Sequence, residues 1–183
     1  MNFWLTFFAY EAVWFAAVIG AGQGLAWPGI AAAGLFVAWR LGVSAHRSLD
    51  LELIAVALAF GILLDGLGVW FGLLRYAAPW PWPAVPAWLT ALWIAFAVTI
   101  VPLFGYLHQR PWLAAALGAV GGPLSYLGAI HGWHAAHLSP PAWRALAVLA
   151  LGWGIALPLL CTWAAHGLRT RAQTALRHPD CVP

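Results

Sequence analysis

The sequence predicts an all-α membrane protein, a polytopic transmembrane bundle of about six helices. The first observation is composition: 64% of the 183 residues are hydrophobic and only 7% are charged, whereas soluble domains carry about 25% charged residues. The second is a mean hydropathy of +0.85, which suits a surface in contact with lipid. The third is the set of long apolar stretches, because a membrane helix requires about 20 mainly apolar residues.

Six apolar stretches are long enough to cross a membrane. Turn-forming or polar segments separate them, and no strand-like alternation of polarity is seen, so helices are the expected elements throughout. Gly20–Gly24 predicts a tight turn, and the proline-rich segment Arg75–Val85 predicts a stiff, extended loop at the membrane surface. The expected spans are Asn2–Gly20, Leu25–Val43, Leu51–Leu74, Pro86–Leu107, Trp112–Ile130 and Trp143–Ala165.

The arginines predict the orientation of the bundle. With an even number of spans, both termini lie on one side, and that side carries six arginines against two on the other. By the positive-inside rule, both termini of this multi-pass protein are expected in the cytoplasm, with the bundle in a bacterial inner membrane. Tryptophans near the span ends form two aromatic belts at the expected interfaces. The first side has Arg40, Arg47, Arg110, Arg169, Arg171 and Arg177 with Trp4, Trp39, Trp112 and Trp163; the second has Arg75 and Arg144 with Trp27, Trp80, Trp82, Trp88, Trp133 and Trp143.

The chain divides into a six-helix domain, residues 1–165, and a basic cytoplasmic tail, residues 166–183, which is expected to lie on anionic lipid. The first apolar stretch contains Glu11 and has no positive segment before it, so we interpret it as a mature helix and not as a cleaved signal peptide. A net charge of +3 without a basic, aromatic stripe argues against nucleic-acid binding. Cys161 and Cys181 form neither a disulfide framework nor a CxxC pair.

Two carboxyl groups lie within the expected spans, Glu11 in the first and Asp65 in the third. A charged side chain at the centre of a membrane helix costs on the order of 2.5–3.5 kcal/mol on insertion scales, so such residues are candidates for function. They have two interpretations: a neutral or hydrogen-bonded group that links helices, or a group that works in proton transfer or substrate contact. Tyr126 brings a hydroxyl to a similar depth, and the three residues form a candidate intramembrane polar site.

Three histidines form the pattern H-x-x-H-x-x-H between the last two expected spans. Imidazoles at this spacing could hold a transition metal, with a carboxylate as a further ligand. Zinc enzymes more often show H-E-x-x-H, and no acidic residue flanks this run, so an ordinary interfacial loop is the competing interpretation and no metal is assigned. A candidate periplasmic-side site comprises His131, His134, His137, Arg75 and Arg144.

Prolines within the last three expected spans predict kinks. Pro102, Pro123 and Pro158 each free one carbonyl a turn back, and such kinks either open a central cavity or are simply tolerated. Gly118–Gly122 predicts close packing of a neighbouring helix or, alternatively, a cavity wall, and it makes a homodimer plausible. The carbonyls freed are those of Val98, Ala119 and Gly154.

The sequence resembles an uncharacterised family of six-helix bacterial inner-membrane proteins, catalogued as a domain of unknown function. The resemblance lies in four segments: Glu11–Phe15, Leu64–Asp65, Arg75–Pro83 and Ala119–Tyr126. The resemblance covers about residues 2–165. It implies a polytopic membrane protein without an established activity. It also implies gene neighbours that encode cyclopropane-type fatty-acyl modifying enzymes and flavin-dependent oxidoreductases, and hence work on lipid acyl chains. The histidine run departs from the family pattern, which weakens a family-wide catalytic role for it.

Three functions remain open on the sequence. The first is an accessory subunit for membrane-lipid acyl-chain modification, with membrane lipids and a peripheral lipid-modifying enzyme as partners. The second is a small transporter or flippase for a hydrophobic substrate. The third is a membrane-embedded enzyme that uses Asp65 and the histidine run. No cofactor is expected, and whether the protein is an enzyme stays undecided.

Overall fold

The computed structural model describes residues 3–82 and 84–177 and confirms the predicted fold class. Pro83, Cys181 and the last part of the expected tail lie outside the described residues. The chain forms a helical bundle with a small two-stranded ribbon at one end. Its elements are α1 (Phe3–Gly22), α2 (Trp27–Val43), α3 (Arg47–Trp70), β1 (Leu74–Tyr76), α4 (Ala87–Ala97), α5 (Ile100–Leu103), a single 3-10 turn (Gly105–Leu107), α6 (Pro111–Trp133), β2 (Ala136–Leu138) and α7 (Ala142–Arg177).

Four of the helices, α1, α3, α6 and α7, are long and apolar enough to cross a membrane. Large apolar side chains cover their outer surfaces: Leu151 on α7 is 69% exposed and Ile62 on α3 is 51% exposed. In water such a surface would be unfavourable, whereas lipid chains can cover it. Helix α2 has 17 residues, at the short end of the range for a span. The helix α7 is continuous through residue 177, and the division at residue 165 stays a prediction.

The expected span Pro86–Leu107 is broken and not continuous. Helix α4 ends at Ala97, and the short helix α5 begins at Ile100. The Thr99 hydroxyl donates to the carbonyl of Phe96 at 2.6 Å, which satisfies one of the carbonyls at the end of α4. Pro102 then lies in the first turn of α5, where its missing N–H has no helical partner to lose. The predicted kink at this proline is therefore a break between two helices.

The prolines of α6 and α7 leave their helices unbroken. Pro123 and Pro158 both lie inside their helices, which continue on either side. Their helices pack against each other more extensively than any other pair in the described chain. Gly118 and Gly122 line this contact: a Cβ on either residue would overlap Trp153 of α7. The glycine segment therefore packs within one chain, while a homodimer remains a prediction.

The structure has a short two-stranded ribbon at one end of the bundle, where the sequence predicted only loops. There β1 pairs with β2 in an antiparallel ribbon, with Leu74 opposite Leu138, Arg75 opposite His137 and Tyr76 opposite Ala136. The ribbon joins two segments that were predicted as separate loops. Each follows a helix, α3 or α6, that ends on this side, and pairing satisfies backbone groups that a loop would leave open. We call this side the hairpin end of the bundle.

Candidate functional site

The carboxylate of Asp65 is the centre of a buried polar network below the hairpin end. Its side chain is fully buried. Tyr76 and Tyr126 donate their hydroxyls to Oδ1 at 2.7 and 2.6 Å, and the indole of Trp93 donates to Oδ2 at 2.8 Å. Short bonds of this kind to a carboxylate are charge-assisted. One carboxylate thereby joins α3, β1, α4 and α6.

The hairpin places Tyr76 in this network. Side chains alternate along a strand, so the outward position of Arg75 turns Leu74 and Tyr76 inward. Burial, reinforced by the nearby Asp65 carboxylate, raises the pKa of Tyr76 well above its usual value. The phenol therefore keeps its proton and acts as a donor to Asp65.

Trp93 reaches Asp65 because α3 carries a glycine beneath its ring. A Cβ on Gly61 would overlap the indole of Trp93. On its other face, Trp93 stacks on Trp153 of α7, with ring centroids 4.5 Å apart and planes 10° apart. The indole N–H of Trp153 is buried and has no hydrogen-bond partner in the described part of the chain. Two helices thus meet through stacked rings beside the carboxylate.

A cavity of about 620 Å³ lies against this network. Tyr76, Tyr126, Trp93 and Trp153 form part of its wall, so one side of the cavity is the outer face of the polar network. Ten of its lining residues are aromatic. The aromatic lining residues are Tyr10, Trp14, Tyr76, Trp88, Trp93, Phe96, Phe104, Tyr106, Tyr126 and Trp153.

Glu11 lies on the wall of the same cavity, at the middle of α1. It has no hydrogen-bond or ion-pair partner among the described residues. Its position contrasts with that of Asp65, whose two oxygens already accept three hydrogen bonds. The three residues of the predicted intramembrane site are therefore in different situations. Asp65 lies behind the cavity wall with its hydrogen bonds complete, Glu11 lies on the wall without a partner among the described residues, and Tyr126 lies between the Asp65 network and the cavity.

Contacts between α1 and α6 form part of the cavity wall. The indole of Trp14 donates to the hydroxyl of Ser125 at 3.1 Å. Trp133, at the end of α6, lies edge-on to both Trp14 and Phe15, with ring centroids 5.7 and 5.3 Å away. Trp133, which was predicted near the membrane interface, is the last residue of α6 and takes part in this aromatic contact.

The tryptophan of α4 was also expected at the interface and is found in the core. Trp88 is only 2% exposed. Its indole donates to the carbonyl of Ala77 at 3.0 Å, and its ring packs edge-on to Tyr76. The segment that follows β1 therefore lies over α4, and this packing fixes the end of the cavity beneath the hairpin.

The predicted periplasmic-side residues are distributed along the hairpin end. His131 lies in the last turn of α6, and His134 caps that helix in the left-handed conformation, with φ of 55°. His137 is exposed on β2, opposite Arg75 on β1. Arg144 lies over the ring of Trp143 at 5.8 Å. No group of three histidine, cysteine, aspartate or glutamate side chains in residues 3–82 and 84–177 is placed to hold a metal ion.

The opposite end of the bundle carries a second polar cluster that sequence reasoning did not single out. Arg171 of α7 donates to Glu52 of α3 at 2.7 Å and to the hydroxyl of Ser48 at 3.1 Å. The indole of Trp163 also donates to Glu52, at 3.2 Å. These side chains are partly exposed, so the cluster joins α3 and α7 at a surface.

Three aromatic residues in or beside the network were not indicated by the sequence. Tyr76 follows Arg75 in a segment that was expected to be a loop. Had this segment been predicted as a strand, the alternation of side chains would have placed Tyr76 on the inward face. Trp93 and Trp153 lie in uniformly apolar helices, in which no polar pattern marks the inward face. Asp65 and Tyr126 were identified because polar groups in a membrane span are rare.

The comparisons with known proteins concern the whole chain and not the cavity alone. One protein family matches residues 3–159 and is described as "Protein of unknown function (DUF2878)". No curated protein and no solved structure matches the sequence. Since the family match spans most of a chain with four helices able to cross a membrane, this membrane protein belongs to the family of unknown function DUF2878.

Proposed function

We propose that this protein binds a hydrophobic molecule of the membrane in the cavity beside Asp65, and that it does so as an accessory subunit for acyl-chain modification of membrane lipids. The observation that carries the binding proposal is the cavity itself. Its volume of about 620 Å³ lies within the range of roughly 300–1,000 Å³ typical of small-molecule sites. Its aromatic and aliphatic lining suits an acyl chain or another apolar group.

The position of the exposed lining residues suggests how a membrane molecule would enter. Leu117 is 41% and Leu124 is 59% exposed, and Gly121 lies between them on α6 with open space around it. Tyr106, also on the wall, is exposed near the start of α6. We infer that these residues form the mouth of the cavity on the apolar outer surface. A lipid chain could pass through this mouth without leaving the apolar phase.

The Asp65 network acts in this proposal as a rigid wall. All three donors around Asp65 are already engaged, so the carboxylate holds Tyr76 and Tyr126 in fixed positions at the cavity surface. Their hydroxyl protons point to Asp65, which leaves the phenolic oxygens able to accept a hydrogen bond from a ligand. This arrangement favours positioning of a bound molecule over proton transfer by Asp65.

The accessory role adds a partner to this binding site. The resemblance to proteins encoded beside cyclopropane-type acyl-modifying enzymes supports acyl chains as the bound group. A peripheral enzyme would approach from the cytoplasm, where the positive-inside rule puts the polar cluster of Arg171 and Glu52. The bacterial inner membrane, with both termini in the cytoplasm, is part of this proposal.

Glu11 favours a second candidate, a small carrier for a hydrophobic substrate. An unpartnered carboxyl at the middle of a membrane helix is costly and is a typical feature of transport pathways. A carrier would have to open the cavity alternately to both sides. Flux of a fluorescent lipid across proteoliposomes, lost in Glu11→Gln and kept in Glu52→Gln, would support transport over the accessory role.

The binding proposal is tested by photolabelling. The full-length protein is reconstituted with a phospholipid that carries a diazirine in one acyl chain, and the labelled residues are mapped by mass spectrometry. We expect labels on Leu117, Leu124 and other cavity residues. Gly121→Phe should lower cavity labelling several-fold, because its ring would occupy the open mouth.

The matched control is Gly132→Phe. Gly132 lies on the same helix, also has open space around its Cβ position, and is not part of the cavity wall. This variant should label like the wild type. Labels confined to the outer surface, with no effect of Gly121→Phe, would contradict the proposal.

The accessory role is tested by a comparison of total membrane lipids with and without the protein. A specific change in acyl-chain chemistry is expected, together with co-purification of a soluble enzyme from native membranes. Unchanged acyl chains and no cytoplasmic partner would contradict this role while leaving binding in the cavity to the labelling result.

A further inference from the structure

We infer that the molecule bound in the cavity is a lipophilic cation, an apolar body that carries an ammonium or comparable positive group, held between Glu11 and the aromatic walls. The inference rests on the proposed binding function and adds the charge of the ligand to it. It is carried by three features of the cavity: the one carboxyl in its described lining, the aromatic residues beside that carboxyl, and the cations that the described lining lacks.

The carboxyl is Glu11. It lies on the cavity wall without a hydrogen-bond or ion-pair partner among the described residues. Removed from bulk water, a carboxylate gains from a cation placed beside it more than it would in solution. A bound cation would supply the missing partner of Glu11, whereas a bound anion would be repelled by it.

The aromatic wall of the cavity offers few polar N–H groups to a ligand. Three of the four tryptophans on the wall use their indole N–H within the protein: Trp14 bonds to Ser125, Trp88 to Ala77 and Trp93 to Asp65. Both faces of Trp93 are already covered, by Gly61 and by Trp153. The ring faces that could attract a cation, through the negative side of their quadrupole, therefore belong to the other aromatic residues of the wall. Trp153 keeps one free N–H beside these faces.

The rings form a connected wall. Phe96 packs edge-on to Trp153 at 5.2 Å and to Phe104 at 5.7 Å, and Tyr10 lies 6.0 Å from Phe96. Tyr10 directly precedes Glu11 on α1, so the carboxyl adjoins this wall. Several aromatic faces around one charge are the arrangement by which proteins recognise quaternary ammonium groups.

No arginine or histidine belongs to the described lining of the cavity, and the sequence contains no lysine. The histidines and arginines that the structure describes lie at the two ends of the bundle and in its connecting segments. A carboxylate or phosphate placed inside the cavity would therefore meet Glu11 without a compensating charge, whereas the uncharged acyl chain of a phospholipid would not. The Tyr76 and Tyr126 oxygens, with their protons directed at Asp65, add further acceptors. The cavity is selective for positive charge.

The test compares two ions of the same shape and opposite charge. Tetraphenylphosphonium and tetraphenylborate are each equilibrated with the purified full-length protein in a neutral detergent, and bound ion is measured by equilibrium dialysis. We expect tetraphenylphosphonium to bind at least about tenfold more tightly than tetraphenylborate. Glu11→Gln should weaken tetraphenylphosphonium binding about tenfold and leave tetraphenylborate binding unchanged or stronger.

The control is Glu52→Gln, which removes a carboxylate that lies outside the cavity and should change neither affinity. Equal affinity for the two ions, or a Glu11→Gln variant that binds tetraphenylphosphonium as the wild type does, would overturn the inference. If the diazirine phospholipid still labels the cavity in that case, the binding proposal stands and only the charge preference fails. If neither ion binds and no cavity residue is labelled, the binding proposal fails as well.

Discussion

The Asp65 network provides the most direct prediction about what holds the bundle together. In Asp65→Asn the side chain keeps its shape but exchanges one acceptor oxygen for an amide donor. If the remaining oxygen serves the two tyrosines, the amide faces the indole N–H of Trp93, and two donors oppose each other. At least one buried donor is then left without a partner.

The expected cost follows from these contacts. A buried donor left unsatisfied costs roughly 1–3 kcal/mol, so Asp65→Asn should lower the free energy of unfolding by about that amount. Tyr126→Phe removes one bond and leaves Asp65 with two others, and hydrogen bonds between membrane helices average about 0.6 kcal/mol with a maximum near 1.7. Asp65→Ala removes every acceptor of the network and should cost more than either change.

The assay is unfolding of the purified protein in mixed micelles by increasing dodecyl sulfate, followed by tryptophan fluorescence. A double-mutant cycle of Asp65→Asn with Tyr126→Phe should be non-additive, because the two residues share one hydrogen bond. An Asp65→Asn variant as stable as the wild type, or more stable, would refute the reasoning. It would mean that desolvation of the buried carboxylate outweighs its three bonds.

Three further predictions concern other sites. Gly118→Ala should lower the free energy of unfolding by about 1–3 kcal/mol, since its Cβ would overlap α7, while Gly121→Ala should not. Thermal unfolding in detergent compares the two variants, and equal effects would contradict the packing of Gly118 against α7. Glu52→Gln removes an exposed ion pair and should change stability by less than about 1 kcal/mol in the same assay; a larger loss would contradict this. Burial lowers the pKa of His108, so the folded state favours the neutral ring. The contribution of this ring to stability is present above the ordinary histidine pKa, about 6.5, and is lost as the pH falls through the lowered value. His108→Gln should remove this pH dependence from unfolding curves measured between pH 7 and 5.

The fold class followed from composition and from the spacing of apolar stretches, which are properties of each segment alone. The interruption near Pro102 was not predicted, because a proline in a membrane helix is compatible with a kink or with the start of a new helix, and the sequence alone does not distinguish the two. The hairpin was missed for a related reason. Pairing of Arg75 with His137 joins segments far apart in sequence, and neither strand is long enough to show an alternating pattern.

The candidate site was only half predictable. Asp65 and Tyr126 stand out because a polar group in an apolar span requires a partner, and the structure brings them to 2.6 Å. Their other partners could not be found, since helices with apolar residues on every side do not reveal which face is turned inward. Trp93 depends on Gly61 for its position, and such a relation between two helices becomes visible only when both are packed.

The predicted roles of the histidines were limited by the same lack of three-dimensional information. A spacing of three residues suggested one cluster, but α6 ends between His131 and His134, and the chain then reverses into β2. A change of element within a motif places its members in different directions. The three histidines of the motif are therefore spread along the hairpin end and do not form a group that could bind a metal.

Molecules that occupy the cavity should stay bound to the protein through purification and can then be identified. The wild type and Gly121→Phe are purified side by side from the same membranes, with Gly132→Phe as control, and bound molecules are quantified by mass spectrometry. The proposal predicts one class of hydrophobic molecule at near-stoichiometric amounts in the wild type and in Gly132→Phe, and a several-fold loss in Gly121→Phe. The same mixture of bulk lipids in all three proteins would contradict it.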